Sequence, residues 1–453
     1  MNDNHDITII GAGLVGSLLA LGLAKKGYQV TVYESRPDLR KADISAGKSI
    51  NLALANRGIR ALKQQGIFDK VEPLLTPMEG RMVHIPHEDA HFQPYGLHKD
   101  DVIYSVSRGA LNALLLDEAQ KYPNVSINFE HRVSSIDLGD KTIKFVDQDK
   151  AVSFSQIIGT DGANSVLRDA IIDKHQTSTN EPTLSIEKLE HGYKELCILP
   201  NSADQHKLLV NALHIWPRED FMLIALPNLD GSFTLTLFMA NQGSTSFNSL
   251  TSADDVLKFF KINFPDVYRE IDNLTVDFFS NPTGSLATVR CQQWHDEGTA
   301  LLLGDAAHAI VPFHGQGMNC GFEDCFDLLN LLPPAQSSSL DWQHIFEQTQ
   351  ALRKPNANAI ADMALENYIE MRSSVAKASF QRQKAIAAKL QGWFPDRFSP
   401  RYAMVMFDDI PYHQAQTIGE VHKQLLTELD KWQQENGELT KKFALQKLDE
   451  YQL

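Results

Sequence analysis

Ile7-Thr8-Ile9-Ile10-Gly11-Ala12-Gly13-Leu14-Val15-Gly16 is the stretch that decides the fold. A short apolar run meets three glycines at the spacing Gly-x-Gly-x-x-Gly, and Ser17 to Lys26 follows with the composition of a helix. Gln29 to Tyr33 then reads as a second strand, which completes a β-α-β start. Glycines at such a turn let the backbone close tightly and approach a pyrophosphate, while the helix start offers free N–H donors and a partial positive charge. Glu34 ends the second strand, 18 residues beyond Gly16. A carboxylate there can accept hydrogen bonds from a ribose diol and would repel a 2′-phosphate, which disfavours NADP in this pocket. Parallel strands covered by helices on both faces are expected to follow. The motif alone leaves FAD and NAD both open.

The rest of the chain bounds the answer. With 453 residues, 43% hydrophobic and 22% charged, it is long enough for two or three packed units and a large core. A net charge of −15 without any basic stripe excludes a nucleic-acid partner. Cys197, Cys291, Cys320 and Cys325 form no C-x-x-C pair and no zinc-type spacing, so idle buried thiols and no metal are expected. The opening Met-Asn-Asp-Asn-His-Asp lacks the basic start and long apolar stretch of a secretory signal, and no window reaches about 20 apolar residues. A soluble, cytoplasmic protein is expected, with monomer and homodimer both open.

The fold class expected is α/β. A Rossmann-like nucleotide-binding domain is assigned to residues 1–75, 99–181 and 284–345. An antiparallel-sheet domain takes 76–98 and 182–283, and a C-terminal helical region takes 346–453. Arg81 to Pro86, Val210 to Trp216, Phe221 to Leu226 and Phe233 to Met239 alternate like strands, the last two joined by a hairpin-type connection. Ser107 to Tyr122 has helical spacing. Ala300 to Leu303 is a buried strand rejoining the first domain. Pro355 suits the N1 position of a helix running on to about Leu390, and the tail after His413 is helical but polar.

Two further glycine-bearing motifs follow strands. One is Gly159-Thr160-Asp161-Gly162-Ala163-Asn164-Ser165-Val166-Leu167-Arg168, after Ile157-Ile158. The other is Gly304-Asp305-Ala306-Ala307-His308, leading through Pro312 to Gly315-Gln316-Gly317-Met318-Asn319 at the start of a helix. An acid just past a strand can reach a ribose or ribitol hydroxyl, and bare amides at a helix start suit the negative charge of a reduced flavin. Ser107-Arg108-Gly109 opens another helix.

These three motifs, in this order and about 145 residues apart, resemble the GxGxxG, DG and GD fingerprints of the class A flavin monooxygenases. Four more segments resemble the kynurenine 3-monooxygenase family: Ser49 to Gly58, Arg81 with Tyr95, Ala361 to Arg372, and Arg401 to Phe407. The resemblance implies bound FAD, transient NADPH without a separate Rossmann domain, and hydroxylation of L-kynurenine with O2 through a flavin C4a-hydroperoxide. The cofactor residues it implies are Gly11, Gly13, Val15, Gly16, Glu34, Arg36, Ala53, Arg108, Val133, Asp161, Asp305, Pro312, Gly315, Gly317, Met318 and Asn319. It places Arg81, Tyr95, Asn367 and Tyr402 on the substrate's carboxylate, where a guanidinium offers a planar fork. It places Pro312, Phe313 and His314 along the ring pocket. No acid or base is assigned, because the substrate's ring amine activates the ortho carbon and the site has mainly to orient it and exclude water. Residues Leu425 to Leu453 are broken by charges where eukaryotic members carry a membrane anchor, so no anchor is expected. Two rivals remain: a salicylate- or hydroxybenzoate-type hydroxylase, and a flavin-fold binding protein without redox work.

Overall fold

In the computed structural model, Asp6–Ile10 lies inside a six-stranded sheet of order His295–Asp296, Ala300–Leu302, Gln156–Gly159, Asp6–Ile10, Gln29–Tyr33, Val125–Asn128. All pairs are parallel except the short edge strand at His295. Ile7, Ile9 and Ile10 are at most 4% exposed. Burial on both faces is what an uninterrupted apolar run in a parallel sheet requires. The structure describes residues 5–41, 51–148, 150–175, 183–203, 205–337, 340–374 and 377–453, with the side chains of 373 and 374 excepted. Ser49 and Ile50 of the quoted sequence segment, and Pro182 at the expected start of the second domain, lie outside these residues.

The chain divides into two units. The first comprises Met1–Leu75, Ser105–Leu189 and Leu286–Ala361. Its helix Leu14–Lys25 starts at the glycine turn and buries almost every residue against helices Arg108–Gln120 and Gly317–Leu331. Ser107 caps the helix Arg108–Gln120 by accepting a hydrogen bond from the Ala110 amide. A small antiparallel sheet, Val133–Asp137, Thr142–Phe145 and Val152–Ser153, completes the unit.

The second unit comprises Thr76–Tyr104, Glu190–Ser285 and Asp362–Leu453. Ala212–Arg218, Phe221–Pro227 and Phe233–Ala240 form an antiparallel meander. One pair breaks the antiparallel expectation: Gly80–Val83 runs parallel to Ala212–Arg218, with Arg81 opposite Leu213. Its other neighbour, His91–Pro94, is antiparallel and sets Gln93 opposite Arg81. The sheet's core face, including Leu196, Trp216, Leu223 and Leu235, packs with Phe259, Phe260 and Phe264 of the segment that follows it. The C-terminal helices Ala378–Trp393, Tyr412–Asn436 and Lys441–Glu450 share a separate apolar cluster around Leu390, Leu425 and Leu448.

Pro355 does not open a helix. It lies inside Trp342–Ile369, thirteen positions beyond the start. The start is set by Asp341, whose carboxylate accepts from the His344 amide at 3.0 Å. Buried Phe346, Thr349 and Arg353 hold the turns before the proline in place, and this packing overrides the loss of one backbone hydrogen bond. The helix ends in a π-type turn at Glu370–Ser374. Because Pro355 is exposed, Pro355→Ala should restore that bond without touching the core. We expect stabilisation of about 1–3 kcal/mol, read as a higher urea midpoint; an unchanged or lower midpoint would show that the proline is accommodated at no cost.

Candidate functional site

The sheet register of the first unit sets Ile10 beside Gly159, and Gly159 beside Leu302. Three turns far apart in the chain therefore leave one sheet edge side by side, at the carboxyl ends of the strands. The Thr160 hydroxyl donates to the Gly11 carbonyl at 2.9 Å. Gly11 has φ +98°, and a Cβ there would lie 2.6 Å from the Thr160 carbonyl oxygen; one on Gly16 would lie 2.0 Å from the Gly11 carbonyl oxygen. The first two turns are thus too close for side chains between them. Val15 in turn packs against Gly304, where a Cβ would meet its methyl at 3.1 Å.

Glu34 closes over the first turn. It accepts from the Ala12 amide at 2.9 Å and from the Arg36 amide and Nε. Burial pushes its pKa up, but these hydrogen bonds outweigh it and hold the carboxyl below its ordinary value. The Arg36 side chain is mostly exposed. The carbonyl of Glu34 accepts from the His131 amide, which brings the strand starting at Val133 alongside. Asn112, one turn beyond Arg108, donates to the Ala12 carbonyl at 3.1 Å.

Asp161 accepts from the Val166 amide at 2.8 Å, while its other oxygen is buried without a hydrogen bond. Burial raises its pKa. Asp305 is exposed, and His308 and Arg108 exert an electrostatic pull on its carboxylate. Gly315 takes φ +66° close to Ala53. Asn319 ties these segments together, accepting from the Ala55 amide and donating to the carbonyls of Ala53 and Gly315. Phe313, His314 and Met318 are buried, whereas Pro312, Arg108 and Asp305 are exposed. Gly317 opens its helix directly behind them.

The second unit gathers another group. Arg81 is 9% exposed, and its guanidinium lies 4.7 Å from the ring centre of Tyr402 and 5.8 Å from that of Tyr95. The two tyrosine rings stack at 5.4 Å. Burial opposes the Arg81 charge, but the phenols and Glu370 outweigh it and raise its pKa. Among the described residues no carboxylate forms an ion pair with Arg81, and its Nε has no hydrogen-bond partner. The π-type turn carrying Glu370 packs on the strand Ala212–Arg218. Asn367, one turn earlier and 5% exposed, donates to the Met371 sulfur at 3.4 Å.

A family model described as an FAD binding domain matches residues 4–207 and 266–359. A kynurenine 3-monooxygenase of Myxococcus xanthus (strain DK1622) is 43% identical over 427 residues, 93% of this chain and 90% of its own length. That of Dictyostelium discoideum is 43% identical over 437 residues, 94% of each chain. The chain belongs to the kynurenine 3-monooxygenase family. A solved structure titled as the tetrameric form of 2-methyl-3-hydroxypyridine-5-carboxylic acid oxygenase shares the fold, with TM-score 0.65 at 17% identity over 83% of this chain and 95% of that one.

As a member of the kynurenine 3-monooxygenase family, the chain carries an FAD-binding domain, and this resolves the choice between FAD and NAD. The residues fit the group. A Cβ on Gly13 would meet nothing within 4 Å, so the turn faces open space. The helix behind it has neither a side-chain cap nor an acid in its first turn, which leaves its amides for a pyrophosphate. Arg108, Asp305 and Pro312 are exposed.

Sequence reasoning missed three buried residues, Glu323, Asp324 and Arg353, and, in the second unit, the partly buried Lys384. Asp324 accepts from the Gly304 amide, His308 and Arg353. Glu323 accepts from Arg57, Arg60 and Arg353. A Glu-Asp pair between buried Cys320, Phe322 and Cys325 was the available signal. His308, Cys320 and Asp324 offer ligand atoms within 4.8 Å of one another. The Arg353 guanidinium already occupies the Asp324 carboxylate, so the cluster is an ionic network that a further cation would disrupt. All four cysteines are buried and free, and no described helix is long and apolar enough to cross a membrane. Gly16→Ala should displace the first turn and strip most FAD from the purified protein, read as the flavin-to-protein absorbance ratio. A wild-type ratio would mean that the turn yields without cost.

Proposed function

We propose that this protein hydroxylates L-kynurenine to 3-hydroxykynurenine, consuming NADPH and O2 and releasing NADP+ and water. The observation that carries the reading is the Arg81 guanidinium, buried against two tyrosine rings and free of any ion pair with a described carboxylate. A buried cation without an anion is costly, and a ligand carboxylate removes the cost. The relatives named above supply the substrate's identity.

When bound, FAD would supply the redox chemistry that couples NADPH oxidation to oxygen transfer onto the ring. The chain's part is to bind, orient and keep out water. Arg81 holds the amino-acid carboxylate, and Tyr95, Tyr402 and Asn367 add neutral donors without further charge. In the first unit, Gly11, Gly13, Val15 and Gly16 cradle the pyrophosphate, and Glu34, with Arg36 beside it, receives the ribose. Ala53, Arg108, Val133, Asp161, Asp305, Gly315, Gly317, Met318 and Asn319 surround the remainder of the cofactor. Pro312, Phe313 and His314 form the lining at its flavin end. No side chain is needed as acid or base, because the substrate's own amine activates the carbon.

Product analysis after incubation with kynurenine, NADPH and O2 tests the reading, with 3-hydroxykynurenine expected and its absence decisive against it. Arg81→Ala should weaken kynurenine binding by about 2–4 kcal/mol, the range for stripping one partner from a buried charged pair. FAD content should stay at the wild-type level. An unaltered KM would remove Arg81 from the site.

A pH effect follows from Lys384, whose Nζ donates to Gln93 at 2.6 Å. Burial, reinforced by the Arg81 charge, pushes its pKa from 10.5 down to about 8. Below that pH the ammonium adds to the attraction for a carboxylate, and above it the attraction is lost. The kcat/KM for kynurenine should therefore fall as pH rises from about 7 to 9, since this ratio reports the free enzyme. Lys384→Met should remove that step, leaving only the substrate's own titration. Superimposable profiles for the two proteins would exclude Lys384.

A further inference from the structure

Asp324 sits in the helix Gly317–Leu331 and is fully buried. Its Oδ2 accepts from the Gly304 amide at 2.9 Å and from His308 Nε2 at 2.6 Å. Its Oδ1 accepts from Arg353 Nε at 2.8 Å. Gly304 and His308 are the two ends of the turn that carries Asp305. One carboxylate oxygen thus grips that turn at both ends, and Arg353 fixes the carboxylate from behind. Gly304 has φ +58° and ψ −142°, a conformation only glycine takes easily, and it aims the amide inward at Asp324.

The same helix organises a second stretch. Asn319, five residues earlier, holds Ala53, Ala55 and Gly315. Glu323 is paired with Arg57, on the helix that follows Ala53, and with Arg353. Asp327 also meets Arg353, at 3.1 Å, but has no hydrogen bond to the Gly304–His308 turn.

We propose that Asp324 is a positioning residue for FAD: by binding both ends of the Gly304–His308 turn, it fixes the height and direction at which Asp305 meets the cofactor. This rests on the FAD-binding reading of the first unit. His308 acts within it as a buried imidazolium. Burial works against its charge, but the Asp324 carboxylate outweighs burial and raises the imidazole pKa well above its ordinary value; the same pairing, with Arg353, holds the Asp324 carboxyl low. The Nδ1 side of the ring faces the Cys320 sulfur at 3.9 Å, and the ring stacks on Trp294 at 5.0 Å. The imidazole therefore has a fixed orientation and is unsuited to shuttling protons.

The test is FAD titration of flavin-stripped protein, followed by quenching of flavin fluorescence, with far-UV circular dichroism to confirm folding. Asp324→Asn should raise the FAD Kd at least tenfold. Asp327→Asn, which disturbs Arg353 but not the turn, should stay within twofold of wild type. If Asp324→Asn does not fold, His308 decides. His308→Ala should weaken FAD at least fivefold, whereas His308→Gln, which keeps an N–H near the position of Nε2, should recover most of the loss. A wild-type Kd for Asp324→Asn, equal damage from Asp327→Asn, or equal Kd values for His308→Ala and His308→Gln would each overturn the proposal. Failure of the wild-type protein to take up FAD would instead overturn the reading on which it rests.

Discussion

The parallel register that sets Ile10, Gly159 and Leu302 in one row is the constraint on which the cofactor site depends. Parallel neighbours cannot be joined by tight turns, so each must be reached by a long crossover. The three turns are therefore far apart in sequence and adjacent in space. Their contacts are close: the Thr160 hydroxyl donates to the Gly11 carbonyl, the Gly16 backbone lies against that same carbonyl, and Gly304 lies against the Val15 side chain. A one-residue slip of any strand would turn its side chains to the opposite face and separate these groups. Burial of Ile7, Ile9, Ile157 and Leu301 makes such a slip expensive.

Charge is handled in opposite ways in the two units. In the first, Arg57, Arg353 and His308 are each less than 5% exposed, and each meets a carboxylate of the helix Gly317–Leu331. Removing one partner from such a network leaves an uncompensated buried charge, so the network is rigid. In the second unit Arg81 meets aromatic faces instead. Ring quadrupoles offset part of the desolvation cost, and the Tyr402 phenol hydrogen-bonds the guanidinium, but neither supplies a full counter-charge. The first arrangement suits a scaffold that must not move, and the second suits a group that must exchange ligands.

The legible parts of the sequence were those where one local rule dominates. Gly11 to Gly16, Glu34 and the strand Gln29–Tyr33 obey spacing and periodicity, and the structure places them as read. The start of the long C-terminal helix was not legible from Pro355, because propensity yields to the packing of Phe346 and Arg353. The parallel pairing of Gly80–Val83 with Ala212–Arg218 was hidden as well, since alternation fixes which face is buried but not which neighbour runs alongside. Asp324 and Arg353 stand 29 residues apart and look like ordinary helical charges. Only the fold buries them together. Lys384 gave no sign at all, because nothing around it in the chain marks it as enclosed.

Arg81 and Lys384 also show why the anchor is an arginine. Both lie in one neighbourhood of the second unit, and the Arg81 charge lowers the lysine's readiness to hold a proton. Burial takes the lysine down to about 8. The guanidinium starts so high that the same burial leaves it charged throughout the range in which the protein works. It is also planar and weakly hydrated, so it can lie against the Tyr95 and Tyr402 rings, where an ammonium would lose more of its solvation. A lysine at position 81 would offer no planar fork to a carboxylate. The arginine supplies a permanent charge with fixed geometry, and the lysine nearby adds a second charge that depends on pH.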